Sequence, residues 1–242
     1  MVKVPSVRGA SAVERKSGGS DVDRFLEQVR EAPASGGGSG RLIFALDATM
    51  SRQPTWDRAC RLQGEMFGAV GGGAPLLVQL VYFRGFGECR ASRWVTRTDE
   101  LRDLMTRIDC RGGRTQIGRV LVHARSEAGK GKVGALVFIG DAMEEDADAL
   151  CATAGELGVL GAPCFMVQEG RDRSTETVFR EIARLSGGAY LRLDEGSADA
   201  LRNLLRAVAA FATRGLAALQ SHGSRESRLL IEQMRGRGGG GR

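Results

Sequence analysis

The sequence predicts an α/β domain: a doubly wound, mostly parallel sheet with one antiparallel edge strand and helices on both faces. Three observations predict it. Short, continuously apolar runs recur along the chain, as expected of strands covered on both sides. Stretches with apolar residues three and four apart separate those runs, which is the order of strands and crossover helices. One weaker strand follows its predecessor through a turn too tight for a crossover, so it pairs antiparallel at an edge.

The elements follow in chain order. Residues 1–19 are polar and contain Gly and Ser without periodicity, and are expected to form a flexible leader. Over 20–31, Val22, Phe25, Leu26 and Val29 share one helical face, and Ser20 with Asp23 resembles a capping box, so a short docking helix is expected. Residues 32–40 (APASGGGSG) have linker composition. The domain body is expected over 41–213, and 214–242 is expected to be a C-terminal helix or a basic Gly/Arg tail.

Within the body, strands are expected at 42–46, 76–83, 135–139, 164–168 and 189–193, with the weaker edge strand at 90–96 after the turn 85–88. Helical faces are carried by Leu62, Met66, Ala69 and Val70; by Leu101, Leu104 and Ile108; by Ile117, Val120, Leu121 and Ala124; by Val178, Ile182 and Leu185; and by Leu201, Leu204, Leu205, Val208, Phe211 and Ala212. Residues 146–160 complete the set with less regular spacing. No repeat of solenoid period is present.

Composition narrows the classes of function. The chain has 242 residues and a formal charge of +6, with 42% hydrophobic and 26% charged residues, as in ordinary soluble domains. Half of that charge excess lies in 224–242, so the central body is nearly neutral and lacks the strongly basic composition of a nucleic-acid groove. The five cysteines (Cys60, Cys89, Cys110, Cys151, Cys164) are scattered without a Cys-x-x-Cys pair, which argues against a zinc knuckle or a disulfide framework. No signal peptide or membrane span is expected, and the reading is cytoplasmic.

In an open parallel sheet, ligands bind beyond the carboxyl ends of the strands, so the polar residues that follow each strand carry the chemistry. Three loops stand out. Asp47, Thr49 and Ser51 alternate directly after the first strand. Thr115 lies in the Gly-Gly-Arg-Thr loop that leads into a helix, and Asp141 follows the strand 135–139. Two carboxylates and three hydroxyls make a hard, oxygen-only set suited to Mg²⁺, with Mn²⁺ as the second candidate, and leave coordination positions for water or an incoming ligand.

At these loops the chain resembles the von Willebrand factor A (VWA) family and its metal-ion-dependent adhesion site. The resemblance spans about 41–213, with Asp47, Thr49, Ser51, Thr115 and Asp141 matching the pattern Asp-x-Ser-x-Ser, distant Thr, distant Asp. It implies that the hydroxyls bind the metal directly, that the aspartates act mostly through water, and that an acidic side chain of a protein partner completes the sphere. Two departures stand in the motif. Thr49 replaces the usual Ser, and Ala142 follows Asp141 where Gly is common, so a less tightly turned loop is expected there.

Other features have plainer readings. Glu144, Glu145, Asp146 and Asp148 either extend the metal site or favour the positive end of the following helix. His123 is expected to serve packing or surface, and no Ser, His and Asp set is recognisable; His222 falls outside the body. The Gly129–Lys132 run lacks the spacing of a phosphate loop, and Gly36–Gly40 precedes a strand instead of following one. Trp56 and Trp94 are either core or edge packing, or partner contacts. The expected function is a metal-dependent protein-binding module. The alternatives are a Mg²⁺-dependent hydrolase using Glu144 or Glu145 as base, and RNA binding through the basic tail, which the resemblance also suggests because some family members belong to ribonucleoproteins.

Overall fold

The computed structural model describes residues 40–69, 75–193, 198–217, 220 and 223–235. The leader, the helix expected over 20–31, most of the linker and residues 236–242 lie outside the described residues, as does Val70.

A six-stranded sheet forms the centre. Its strands are β1 (Gly40–Asp47), β2 (Leu76–Arg84), β3 (Glu88–Val95), β4 (Ala135–Gly140), β5 (Cys164–Glu169) and β6 (Ala189–Leu193), in spatial order β3-β2-β1-β4-β5-β6. All neighbours are parallel except β2 and β3, which form an antiparallel hairpin across the turn at Gly85–Gly87. The expected fold class is the one observed, with the strands one or two residues longer at some ends and β3 ending one residue earlier. The arginine-bearing edge strand β3 is exposed along much of its length, which discourages further strand pairing.

Helices cover both faces. They are α1 (Gln53–Leu62), α2 (Gly64–Gly68), α3 (Thr98–Met105), α4 (Ile117–Lys130), α5 (Ala147–Val159), α6 (Arg173–Ser186), α7 (Ala198–Arg214) and α8 (Arg225–Arg235). The apolar strands divide by alternation. Leu42, Phe44 and Leu46 of β1 pack with Trp56, Met66, Leu101, Leu204 and Val208 on one face. Ile43 and Ala45 pack with Ile117, Val120, Phe138 and Phe179 on the other. Two filled cores explain why the strands read as unbroken apolar runs instead of alternating ones.

Two elements differ from the periodicity. The expected helix through Leu62 and Met66 is divided at Gln63, where Gly64, a weak helix former packed against the Thr98 side chain, starts a separate short turn. At the C-terminus, α8 packs beyond the point where periodicity closes the body. Leu230 is fully buried in the core, and the Gln233 amide brackets Tyr190, accepting from its N–H at 2.8 Å and donating to its carbonyl at 2.6 Å. That side chain satisfies the open edge of β6 as another strand would.

Candidate metal centre

The chain lays β2 and β3 on one side of β1 and then returns to lay β4, β5 and β6 on the other. The sheet therefore has its topological switch between β1 and β4, and the loops leaving these two strands diverge and open a crevice. Asp47 ends β1 and Asp141 follows β4, so the two carboxylates flank that crevice. A pocket of about 190 Å³ occupies it. Its lining includes all five residues expected from the sequence, Asp47, Thr49, Ser51, Thr115 and Asp141, together with Met50, Gly112, Gly113, Ala142 and Glu144.

The first loop is folded by its own motif. The carboxylate of Asp47 accepts from the Thr49 N–H at 2.7 Å, which turns the chain and brings the Thr49 and Ser51 hydroxyls within 3.3 Å of each other. Ser51 then lies in a single 3₁₀ turn, Met50–Arg52, before Pro54 opens α1. Asp47 is only 4% exposed. Burial pushes its pKa from 3.8 up to about 6, and the neighbouring Asp141 charge adds to the rise, against the stabilising Thr49 hydrogen bonds and the Arg52 charge.

The second and third loops are tied together. The Thr115 hydroxyl accepts from the Glu144 N–H at 3.3 Å, which leaves it further lone-pair capacity. Glu145 reaches back to the start of α4 and accepts from the N–H groups of Ile117 and, at 3.0 Å, Gly118. Glu145 is thus a helix cap in place of a metal ligand, but of α4 and not of the helix that follows it; Asp146 caps α5 by accepting from the Asp148 N–H at 3.0 Å. The second loop is also pinned to the first, the Arg111 N–H donating to the Ala48 carbonyl at 3.0 Å, and to the β2–β3 turn, the Arg114 N–H donating to the Gly85 carbonyl at 3.2 Å. Gly113 packs so closely on the Gly85 backbone that any Cβ there would overlap it. Ala142 needs no special backbone, since among the described residues only glycines have positive φ.

Two functional neighbours were not read from the sequence. Arg52 donates to Asp141 at 3.1 Å and to Glu169 at 2.8 Å, bridging the ends of β4 and β5. Glu169 is buried and is held further by the Thr55 hydroxyl and by Arg58 at 3.4 Å. The rule that picked out Asp47 and Asp141, a carboxylate at the carboxyl end of a strand, applies equally to Glu169; Arg52 follows Ser51 directly in the motif. The remaining candidates resolve to structure. Trp56 is buried, donating to the Met105 carbonyl at 3.3 Å and meeting Tyr82 edge-on. Trp94 donates to Glu127 at 3.1 Å beneath the Arg41 guanidinium, and His123 pairs with Gln79 at 2.8 Å.

The donor set fits a hard divalent cation. Among the described residues no three His, Cys, Asp or Glu side chains converge as a metal group, so the two carboxylates here are supplemented by hydroxyls alone, a set with no preference for soft metals. A buried carboxylate beside a second one is itself a site short of positive charge.

Solved structures that superpose on this fold include domains that carry the family name. The VWA protein of Catenulispora acidiphila superposes with a TM-score of 0.58 at 13% identity, over 72% of this chain and 43% of that one. The fold is that of a von Willebrand factor A domain. The SpRpn10 VWA domain gives 0.56 at 10% identity over 68% of this chain and 94% of its own. Proximal thread matrix protein 1 from the mussel byssus, with a zinc-occupied adhesion motif, gives 0.56 at 18% identity over 72% and 48%. The VWA-like chain therefore spans under half the length of two of these three proteins. No family model matches the sequence, and no curated protein does. No described helix of the VWA-like domain is long and apolar enough to cross a membrane.

Proposed function

We propose that this VWA-like domain is a metal-dependent protein-binding module. Asp47, Thr49, Ser51, Thr115 and Asp141 would hold a Mg²⁺-type ion, Mn²⁺ being the second candidate, and an acidic side chain of a protein partner would take the position left open. The observation that carries the reading is the convergence of five oxygen donors from three separate loops on one pocket, around a carboxylate buried deeply enough to raise its pKa. The neighbour with a zinc-occupied adhesion motif supports a divalent ion on this fold. The ion would supply a fixed positive charge and open coordination; the chain's own loops hold and orient the donors.

The hydrolytic alternative has less support. It needs a general base near the ion, and Glu145 is engaged in capping α4, which leaves Glu144 at the pocket rim. Thermal melting of the full chain with and without Mg²⁺ or Mn²⁺ tests the ion, since binding to the folded state alone raises the melting temperature. A pull-down with and without Mg²⁺, for the wild type and Asp47→Ala, tests the partner. Partners held only by the wild type and only with metal are expected; retention by Asp47→Ala, or melting curves indifferent to metal, would refute the reading.

A further inference from the structure

We infer that the centre is built for a partner segment with at least two acidic side chains a few residues apart and an apolar residue beside them. One carboxylate completes the ion's coordination, the second is taken by Arg111 and Arg114, and the apolar residue covers Met50 and Phe86. This rests on the metal-dependent reading above and deepens it.

The two arginines differ from the others around the pocket. Arg52 and Arg58 are committed to Asp141 and Glu169, Arg84 to Glu88 and the Asp109 carbonyl at 2.8 Å, and Arg119 to the Gly87 carbonyl. Arg111 and Arg114 are exposed and make no side-chain hydrogen bond or ion pair with any described residue. They flank Gly112 and Gly113, which line the pocket. Their loop is held at several points: Arg111 N–H on Ala48, Arg114 N–H on Gly85, the close fit of Gly113, and the Gln116 amide directed at the carbonyls of Arg84, Gly85 and Glu88 at 3.3–3.4 Å. Two guanidiniums carried on a loop with a fixed backbone and not engaged elsewhere are available to a second anion, for which arginine's planar fork is suited.

Charge points the same way. A divalent ion cancels Asp47 and Asp141, the Arg52–Glu169–Arg58 group keeps one positive charge, and Arg111 and Arg114 outweigh Glu144, so the loaded rim is electropositive. In an extended peptide, side chains two residues apart project about 7 Å from one another on one face, a span that arginine side chains beside the pocket can bridge. The apolar part of the partner follows from Phe86 and Met50, 86% and 63% exposed. Phe86 stands on the β2–β3 turn against which Gly113 packs, and Met50 on the metal loop itself. Of the large apolar side chains exposed among the described residues, these two belong to loops at the carboxyl end of the sheet.

Fluorescence anisotropy with the full chain in Mg²⁺ tests this with three labelled peptides in a Gly/Ser background: one Glu, two Glu two residues apart, and the two-Glu peptide with an adjacent Leu. The two-Glu peptide is expected to bind about fivefold tighter than the one-Glu peptide, and the Leu peptide tighter still. Arg111→Ser/Arg114→Ser should abolish the first difference, and Phe86→Ser should reduce the second, while both variants keep the wild-type rise in melting temperature with Mg²⁺ alone. Equal binding of all three peptides with that rise intact overturns the inference and leaves the metal-dependent reading standing. Metal-independent, steeply salt-sensitive binding of single-stranded RNA through the same arginines also overturns it, in favour of a nucleic-acid surface. Absence of any Mg²⁺ effect on the wild type overturns the metal-dependent reading and this inference with it.

Discussion

Replacing Asp47 by Asn should stabilise the metal-free protein and abolish its response to metal. Asp47 is buried at the end of β1, and the rise of its pKa from 3.8 to about 6 corresponds to roughly 3 kcal/mol of penalty on the ionised form at neutral pH. Asn keeps an oxygen to accept the 2.7 Å hydrogen bond from the Thr49 N–H but buries an amide group, which takes back about 1 kcal/mol. A net gain of about 2 kcal/mol remains, or about 4–8 °C in melting temperature for a domain of this size. The sign with pH is fixed by linkage. A carboxyl whose folded pKa lies above its unfolded value destabilises fully above about pH 6, and the penalty disappears as pH falls towards 3.8. The difference between Asp47→Asn and wild type should therefore be largest at pH 7 and shrink by pH 4.5. Subtracting the two also removes His123, whose pKa burial pushes down in both proteins. Melting in EDTA and in millimolar Mg²⁺ at several pH values provides the assay. With Mg²⁺ the order should narrow or invert, because only the wild type gains from the ion. A metal-free variant less stable than wild type, or a difference independent of pH, would refute the electrostatic account of the pocket.

Three further outcomes follow from the same packing. Arg52→Met removes the main partner of buried Glu169 and should cost about 2–4 kcal/mol in urea unfolding, part of it recovered by adding Glu169→Gln; full stability of the single variant would deny the bridge between β4 and β5 any structural weight. Gly113→Ala forces its loop away from the Gly85 backbone and should lower stability by about 1–3 kcal/mol and weaken the Mg²⁺ effect, whereas Gly112→Ala, with open space around its Cβ, should change neither; equal behaviour of the two in melting experiments would count against the close fit. Truncation after Arg235 should leave the melting temperature unchanged, whereas truncation after Ser224 removes Leu230 and the Gln233 pairing with β6 and should cost about 3 kcal/mol or more, so equal stability of the two truncated chains would show that α8 does not contribute to the core.

The parts of the fold legible in the sequence are those that burial encodes locally. Unbroken apolar runs mark β1, β4 and β5 because both sides of each strand are covered, and the Gly85–Gly87 turn marks the antiparallel hairpin. The division at Gln63 was not legible, since the apolar spacing of Leu62 and Met66 continues across it. Nor was the inclusion of α8, whose charged residues interrupt its apolar ones and which attaches through buried Leu230, with Leu229, Ile231 and Met234 packed beside it, and through the Gln233 amide. The five candidate ligands were legible because each follows a strand or opens a helix, and because the motif resemblance links loops far apart in the chain. The pairing of Arg52 with Glu169 was not, because an arginine's partners depend on which strands lie side by side, and the β4–β5 adjacency is a property of the folded sheet.

The strand order also explains why the pocket tolerates its unfavourable charge. At the switch between β1 and β4 the loops leave in opposite directions, so the last residues of both strands are enclosed by neighbouring backbone yet open at one end. Asp47 is desolvated there by its position in the sheet, before any ligand is considered. The neighbouring gap, between β4 and β5, is closed by cations from the chain itself: Arg52 bridges Asp141 and Glu169, and Arg58 adds a second positive charge beside Glu169. No arginine or lysine makes an ion pair with Asp47 among the described residues; its carboxylate accepts from the Thr49 backbone. One carboxylate at the sheet's end is thus balanced internally and the adjacent one is not. Such an imbalance raises the free energy of the metal-free protein, and under the proposed function it is what a divalent ion would relieve. The melting behaviour of Asp47→Asn and Arg52→Met should accordingly be opposite in sign in the absence of metal, because one substitution removes an uncompensated charge and the other creates one.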